Sequence, residues 1–348
     1  MRLFICLCAA LLSVACTSVE PPSPEHTFAS APLITQRYSA DPAVHVWDGR
    51  VYIYGSHDLP NSEPHDAEGS HFVMRDYRVY SMVSVDGEIT DHGSALTLED
   101  IPWASRQLWA PDVAQQQDRY YLYFPAKDSE DIFRLGVAHS ESPSGPFVAE
   151  PQPIAGTFSV DPAVFADAGE HYLLWGGSGG GQLQRWRQGE YTGEDDYPEE
   201  DAAALTPWIA RLDKNMTSLA ESPRPLVILD QQGQPLLAGD RHRRFAEGAW
   251  LHHYQDTYYL SYSTGDTHKI VYATGDNPYG PFTWQGVVLE PVLGWTTHGA
   301  IVLIDEQWYL FYHDTELSGG QTHLRNIKVL PLEYNADGSI QTLNPFAP

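Results

Sequence analysis

Apolar and polar positions alternate along this chain over short stretches, and helix-period apolar stripes are scarce. Aromatic-rich runs such as VYIYG from Val51, YYLYF from Tyr120, YLLWG from Tyr172, YYLSY from Tyr258 and YLFYH from Tyr309 read as strands. Each run has the same lead-in. The lead-ins begin DPAV at Asp41, APDV at Ala110, DPAV at Asp161, EGAW at Glu247 and HGAI at His298, and in every copy a tyrosine stands eleven residues after the start. Those tyrosines are Tyr52, Tyr121, Tyr172, Tyr258 and Tyr309. Three residues into each copy lies an apolar side chain: Val44, Val113, Val164, Trp250 and Ile301. Turn formers, Asp48-Gly49 and Ala168-Gly169 among them, separate the two halves. Each copy therefore reads as a β-hairpin, two short strands joined by a tight turn.

Five such units recur at intervals of roughly 50–90 residues with more strand sequence after each. That spacing suggests a radial β array, an all-β, five-bladed propeller. The first strand of a propeller blade lines the central channel, so the five starting positions converge at one mouth of it. Four of them are Asp41, Asp161, Glu247 and His298. A pair of related segments, AHSESPSGPF from Ala138 and ATGDNPYGPF from Ala273, reads as a repeated blade turn without chemistry.

The termini divide the chain. Residues 1–16 carry one basic residue, an apolar run and small residues before Cys16, which suits an export signal. The segment LSVAC resembles a bacterial lipobox, in which Cys16 becomes the lipidated first residue and the protein an outer-membrane lipoprotein. Residues 17–30, with Pro21, Pro22 and Pro24, read as a flexible linker, and residues 31–348 as the five-bladed propeller domain. All three cysteines fall in the leader, so the domain has no disulfide, thiolate metal site or cysteine nucleophile.

Formal charge is −26, a surface that repels nucleic acid and anionic polymers. The acidic run at residues 189–201 reads as a solvated inter-blade loop, a calcium site being the alternative there. GxSxG, P-loop and HExxH motifs are absent. Three carboxylates without a serine or cysteine nucleophile suit acid–base cleavage of an unactivated bond. Glycoside hydrolysis needs two such groups, one protonated and one ionised, and a third can hold the acid's pKa up by repulsion.

These motifs, with LWAPDV around Trp109, RFAEGAW and GWTTHGAIV, resemble glycoside hydrolase family 43 in order from about residue 32 to 335. The resemblance implies a five-bladed propeller that hydrolyses glycosides with inversion and releases xylose or arabinose from plant or algal polysaccharides. It makes Asp41 the general base, Glu247 the general acid and Asp161 the carboxylate that tunes and orients that acid. Inversion then sets the Asp41 and Glu247 carboxyls roughly 6.5–9.5 Å apart. Trp109 matches an aromatic ring against the bound sugar, and Arg325 an arginine reaching a sugar hydroxyl and the carboxylates. His298 matches a pore-axis histidine associated with hydrated Ca²⁺. Imidazole prefers softer metals, so contact is expected through water; a hydrogen-bonded histidine without metal is the other reading.

His57 and Asp58 are placed by position alone at the pocket rim. His242, His252, His253, His313 and His323 lack zinc-ligand spacing and read as structural. Expected partners are an oligosaccharide or polysaccharide substrate and, through the lipid anchor, a membrane; no obligatory cofactor is implied. Within the family the chain resembles the exo-acting branch, β-xylosidase ahead of α-L-arabinofuranosidase, arabinanase or galactosidase. A non-catalytic glycan-binding lipoprotein is the rival of another class.

Overall fold

The computed structural model describes residues 27–347. The leader, Cys16 and most of the linker lie outside them. The hairpin units become the inner halves of five small sheets. Blade 1 comprises β1 (Tyr38–Trp47), β2 (Arg50–Asp58), β3 (Asp76–Met82) and β4 (Thr90–Thr97). Blade 2 comprises β5 (Asp112–Gln116), β6 (Arg119–Lys127), β7 (Phe133–Ser140) and β8 (Val148–Ala149). Blade 3 comprises β9 (Ala163–Asp167), β10 (Glu170–Trp175), β11 (Trp208–Arg211) and β12 (Arg224–Pro225). In blade 4, β13 (Ile228–Leu229) lies parallel to β17 (Phe282–Leu289), outside β14 (Glu247–Tyr254), β15 (Thr257–Ser263) and β16 (Ile270–Gly275). Blade 5 holds β18 (Gly299–Ile304), β19 (Gln307–Asp314) and β20 (Asn326–Leu332). Together they form a five-bladed β-propeller.

Each inner hairpin closes through a two-residue loop, pairing Trp47 with Arg50, Gln116 with Arg119, Asp167 with Glu170, Tyr254 with Thr257 and Ile304 with Gln307. Positive φ at both Asp48 and Gly49, both Ala168 and Gly169, and both Asp305 and Glu306 marks the turn type that matches strand twist. The third-position residues Val44, Val113, Trp250 and Ile301 are buried between blades, with Val164 at the edge of burial.

A ring of hydrogen bonds around the channel joins neighbouring blades. His45 Nε2 donates to Asp112 Oδ1 (2.7 Å) and Val164 N to Asp112 Oδ2 (2.6 Å). Gly248 N donates to Asp161 Oδ2 (2.9 Å), and Trp250 Nε1 to the Ile301 carbonyl (3.0 Å). Asp41 N donates to His313 Nδ1 (3.1 Å), which closes blade 5 on blade 1. Chain ends complete the closure. Leu33 N bonds the Ile327 carbonyl beside β20, and Leu343 pairs with Leu289 in blade 4. Residues 27–30, the end of the expected linker, run against residues 345–347, with Ala29 N bonded to the Pro345 carbonyl.

Candidate active site

The five repeat-start residues, Asp41, Ala110, Asp161, Glu247 and His298, all line one cavity of about 820 Å³. Local backbone aims them there. Asp41 and Asp161 precede prolines and take left-handed φ values of 52° and 56°. The β1–β2 register shifts between Ala40 and Ala43, and the β14–β15 register between Glu247 and Trp250, so Asp41 and Glu247 sit at β-bulges. Gly248 has φ +66°, and a Cβ there would lie 3.3 Å from the His298 ring, so the ring covers a position that only glycine suits.

Asp41 is buried, and both carboxyl oxygens are held. Ser56 Oγ donates to Oδ2 (2.6 Å) and Arg325 Nη1 to Oδ1 (2.8 Å). Burial pushes its pKa up, but Arg325 and the other partners outweigh it and bring the value down to about 2. Arg325 in turn grips Asp58 through Nε and Nη2, each at 2.8 Å, and stacks over Phe72 at 5.0 Å. His313 reads as structural in sequence, yet it belongs to this centre. Its Nδ1 accepts the Asp41 N–H while Nε2 donates to Thr296 Oγ1 (2.9 Å). Burial and Arg325 push His313 down to about 3, so the ring is neutral and its 3.3 Å approach to Asp41 Oδ1 is no ion pair.

The other two carboxylates are shifted upward. Burial and then Asp41 raise Glu247 to about 7. Burial, Glu247 and Asp41 raise Asp161 well above the usual carboxylate range. Repulsion between two such groups in one cavity favours states in which only one of them is ionised. The Gly248 N–H steadies the ionised form of Asp161, and no such donor reaches the Glu247 carboxyl among the described residues, which favours the proton on Glu247. Burial lowers the pKa of His298, whose Nδ1 lies 4.0 Å from Asp161 Oδ2.

Trp109 lines the same cavity, its Nε1 donating to the Phe72 carbonyl (3.0 Å) and its ring against Phe133 at 4.7 Å. Its far edge is clamped by glycines: a Cβ on Gly69 or Gly180 would come within 2.7 or 3.0 Å of Cη2. All six expected site residues, Asp41, Trp109, Asp161, Glu247, His298 and Arg325, therefore meet at this cavity.

Two expectations of position change. Asp58 is buried behind Arg325, and His57 bonds Asp76 Oδ1 (2.7 Å); both border a separate cleft with Tyr38 and Leu59. Strand alternation turns Asp58 inward, so it anchors Arg325 instead of rimming the active cavity. The acidic run is not simply solvated either. Arg185 and Arg187 pair with Asp195 and Asp196, each at 2.8 Å, and Tyr197, Pro198 and Glu200 form part of the cavity wall. Further lining residues, among them His65, His71, Arg241, Arg244 and Trp295, escape the sequence reading. The GGSGGG run at residues 176–181 is the one overlooked signal, since glycine clusters mark close backbone approach.

Among the described residues, no group of three or more His, Cys, Asp or Glu side chains is arranged to hold a metal ion. Asp112, further along the channel, already accepts from His45, Val113 and Val164. The residues around His298 do not fit direct ligation of Ca²⁺.

A cleft that keeps one carboxylate ionised while another retains its proton is equipped to cleave a glycosidic bond by acid–base chemistry. Propeller and cleft together place the protein among the glycoside hydrolases. The model of Glycosyl hydrolases family 43 matches residues 29–340, and the chain belongs to that family. It is 54% identical over 313 residues, 89% of this chain and 96% of the other, to a xylosidase/arabinosidase of Bacteroides ovatus. A β-xylosidase/α-arabinofuranosidase from a compost microbial metagenome, solved with xylotriose in a calcium-free form, superposes with TM-score 0.90. It is 58% identical, with 94% of this chain and 100% of that one covered. A family 43 subfamily 1 enzyme of Xanthomonas citri, complexed with xylotriose, gives TM-score 0.88 at 56% identity, covering 92% and 94%.

Proposed function

We propose that this enzyme removes single xylose units, and arabinose units secondarily, from the ends of xylan-derived oligosaccharides with inversion at the anomeric carbon. The observation that carries the reading is that Asp41, held low at about 2 by Arg325 and its other partners, and Glu247, pushed up to about 7 by burial and Asp41, line one cavity. Glu247 donates its proton to the glycosidic oxygen as the bond breaks. Asp41 accepts a proton from the water that attacks the opposite face of the sugar. Arg325 and Ser56 fix the Asp41 carboxylate, and Asp161, which feels the Glu247 charge, has the role of orienting and tuning that acid. Trp109 offers its face to the terminal sugar. Walls from all five blades favour entry of a chain end. The names and bound xylotriose of the relatives support pentose as the released sugar.

A p-nitrophenyl glycoside panel tests this reading. Release from the β-D-xyloside is expected to exceed that from the α-L-arabinofuranoside, with the β-D-galactoside inert. Glu247→Gln and Asp41→Asn should each lower kcat by about 10²–10⁴-fold. Oligosaccharide binding without turnover on any substrate would instead favour a carbohydrate-binding lipoprotein. For the leader, which lies outside the described residues, the lipobox-like LSVAC supports export and lipidation at Cys16. Cys16→Ser is expected to move the protein from the membrane to the soluble fraction; unchanged fractionation would remove the anchor.

A further inference from the structure

The cavity is larger than one pentose requires: about 820 Å³ lies in the upper part of the roughly 300–1,000 Å³ range of small-ligand pockets. Its wall includes the catalytic carboxyls Asp41, Asp161 and Glu247, with Arg325 bonded to Asp41. At its rim stands Trp295, 58% exposed although it is among the largest apolar side chains in the protein.

Exposure of that size would mean little on a slack loop, but this loop is pinned on both sides of the tryptophan. Thr315 N and Oγ1 donate to the Leu293 carbonyl at 3.0 and 2.9 Å. Gly294 has φ +120°, and a Cβ there would strike the Thr315 side chain at 2.8 Å. On the other side, Thr296 is tied to His313 and Arg325 of the catalytic centre. His268 Nδ1 donates to the Trp295 carbonyl, and its ring stands edge-on to the indole, 5.0 Å away at 69°. The indole thus has one edge buttressed and its rotamer freedom already restricted, the condition under which stacking costs little ordering entropy.

The position also has a side. His268 lies in the turn after β15, the strand paired with the β14 bulge that carries Glu247. Trp109 comes from blade 2, with Phe72 and Phe133 behind it. The acid faces the leaving group, so the rim beside blade 4 belongs to the sugar that departs.

We infer that Trp295 is the stacking platform of a leaving-group subsite, holding the second sugar of a xylo-oligosaccharide while the terminal unit occupies the carboxylate end. This inference rests on the xylo-oligosaccharide reading above. Trp295 makes the enzyme prefer oligosaccharides to glycosides with small leaving groups, and it touches no reacting atom.

Calorimetry in the catalytically idle Glu247→Gln background separates the two readings. Adding Trp295→Ala should weaken xylotriose binding about tenfold, the loss of one stacking contact, and leave xylose binding within about twofold. Trp295→Phe should restore most of the difference. In the active enzyme the same change should raise KM for xylotriose with little effect on kcat. Equal loss for xylose and xylotriose would place Trp295 against the terminal sugar and overturn the assignment, as would unchanged xylotriose affinity. If the Glu247→Gln protein binds arabinotriose and not xylotriose, the substrate reading fails. The same comparison with arabinotriose against arabinose then decides Trp295.

Discussion

Asp41 and Asp161 hold a backbone conformation that L-residues avoid, at a cost of about 1–2 kcal/mol each. Each sits before a proline and lines the cavity, Asp41 from the bulge within β1 and Asp161 from the segment just before β9. Strain of this kind persists where surrounding contacts over-determine it. Here Arg325 and Ser56 hold Asp41, and the Gly248 N–H holds Asp161. The consequence is electrostatic. Turnover needs Asp41 ionised and Glu247 protonated, so activity should fall as pH rises through about 7 and as it drops toward about 2. Asp161→Asn removes a like charge beside Glu247 while keeping an oxygen for the Gly248 N–H. Glu247 then loses its proton more easily, so the alkaline limb of kcat/KM should move to lower pH. At the wild-type optimum the rate should drop about 10–10²-fold. A purely structural role for Asp161 would lower the rate and leave the limb in place.

At the scale of elements, the inner hairpins are sewn to one another through single buried groups. Asp112 is the clearest: 1% exposed, it accepts from His45 of blade 1, Val164 of blade 3 and its own neighbour Val113. Asp112→Ala strands those donors in a buried channel wall, and a loss of roughly 2–4 kcal/mol is expected in urea unfolding. A loss below about 1 kcal/mol would mean that water replaces the carboxylate. The hairpins are legible in sequence because their signals are local: an eleven-residue period, alternation, and Asp-Gly or Ala-Gly at the turn. The same period exposes Asp41, Asp161, Glu247 and His298 as one set. Outer strands β8, β12 and β13 have two residues each and carry no period to detect. Cavity walls are illegible for a different reason. Arg185 meets Glu68 across 117 residues and Arg325 meets Asp58 across 267, so partnership there depends on closure of the ring and not on spacing. His313 therefore reads as structural, and Asp58 as a rim residue and not an anchor of Arg325, until blade 5 docks on blade 1.

The whole molecule adds a field that no single blade shows. With formal charge −26, the protein repels anionic polymers at long range, yet the cavity wall presents Arg241 and Arg244. Those arginines are locally compensated: Arg241 lies 3.3 Å from Asp266 and 3.7 Å from Glu200, and Arg244 3.7 Å from Asp266. The global term should then dominate the approach of a charged substrate. At an ionic strength of about 0.01 M its reach is roughly 30 Å, contracting to about 10 Å at 0.1 M. A neutral xylotriose should therefore show kcat/KM nearly independent of salt. A xylo-oligosaccharide bearing a uronic acid should show kcat/KM rising several-fold between those ionic strengths, on the order of the steering effects charged surfaces produce. The comparison is internally controlled, because salt effects on the catalytic groups act on both substrates alike. A flat or falling response for the acidic substrate would mean that Arg241 and Arg244, despite their carboxylate neighbours, set the local potential at the mouth. The acidic surface would then serve solubility without excluding charged glycans.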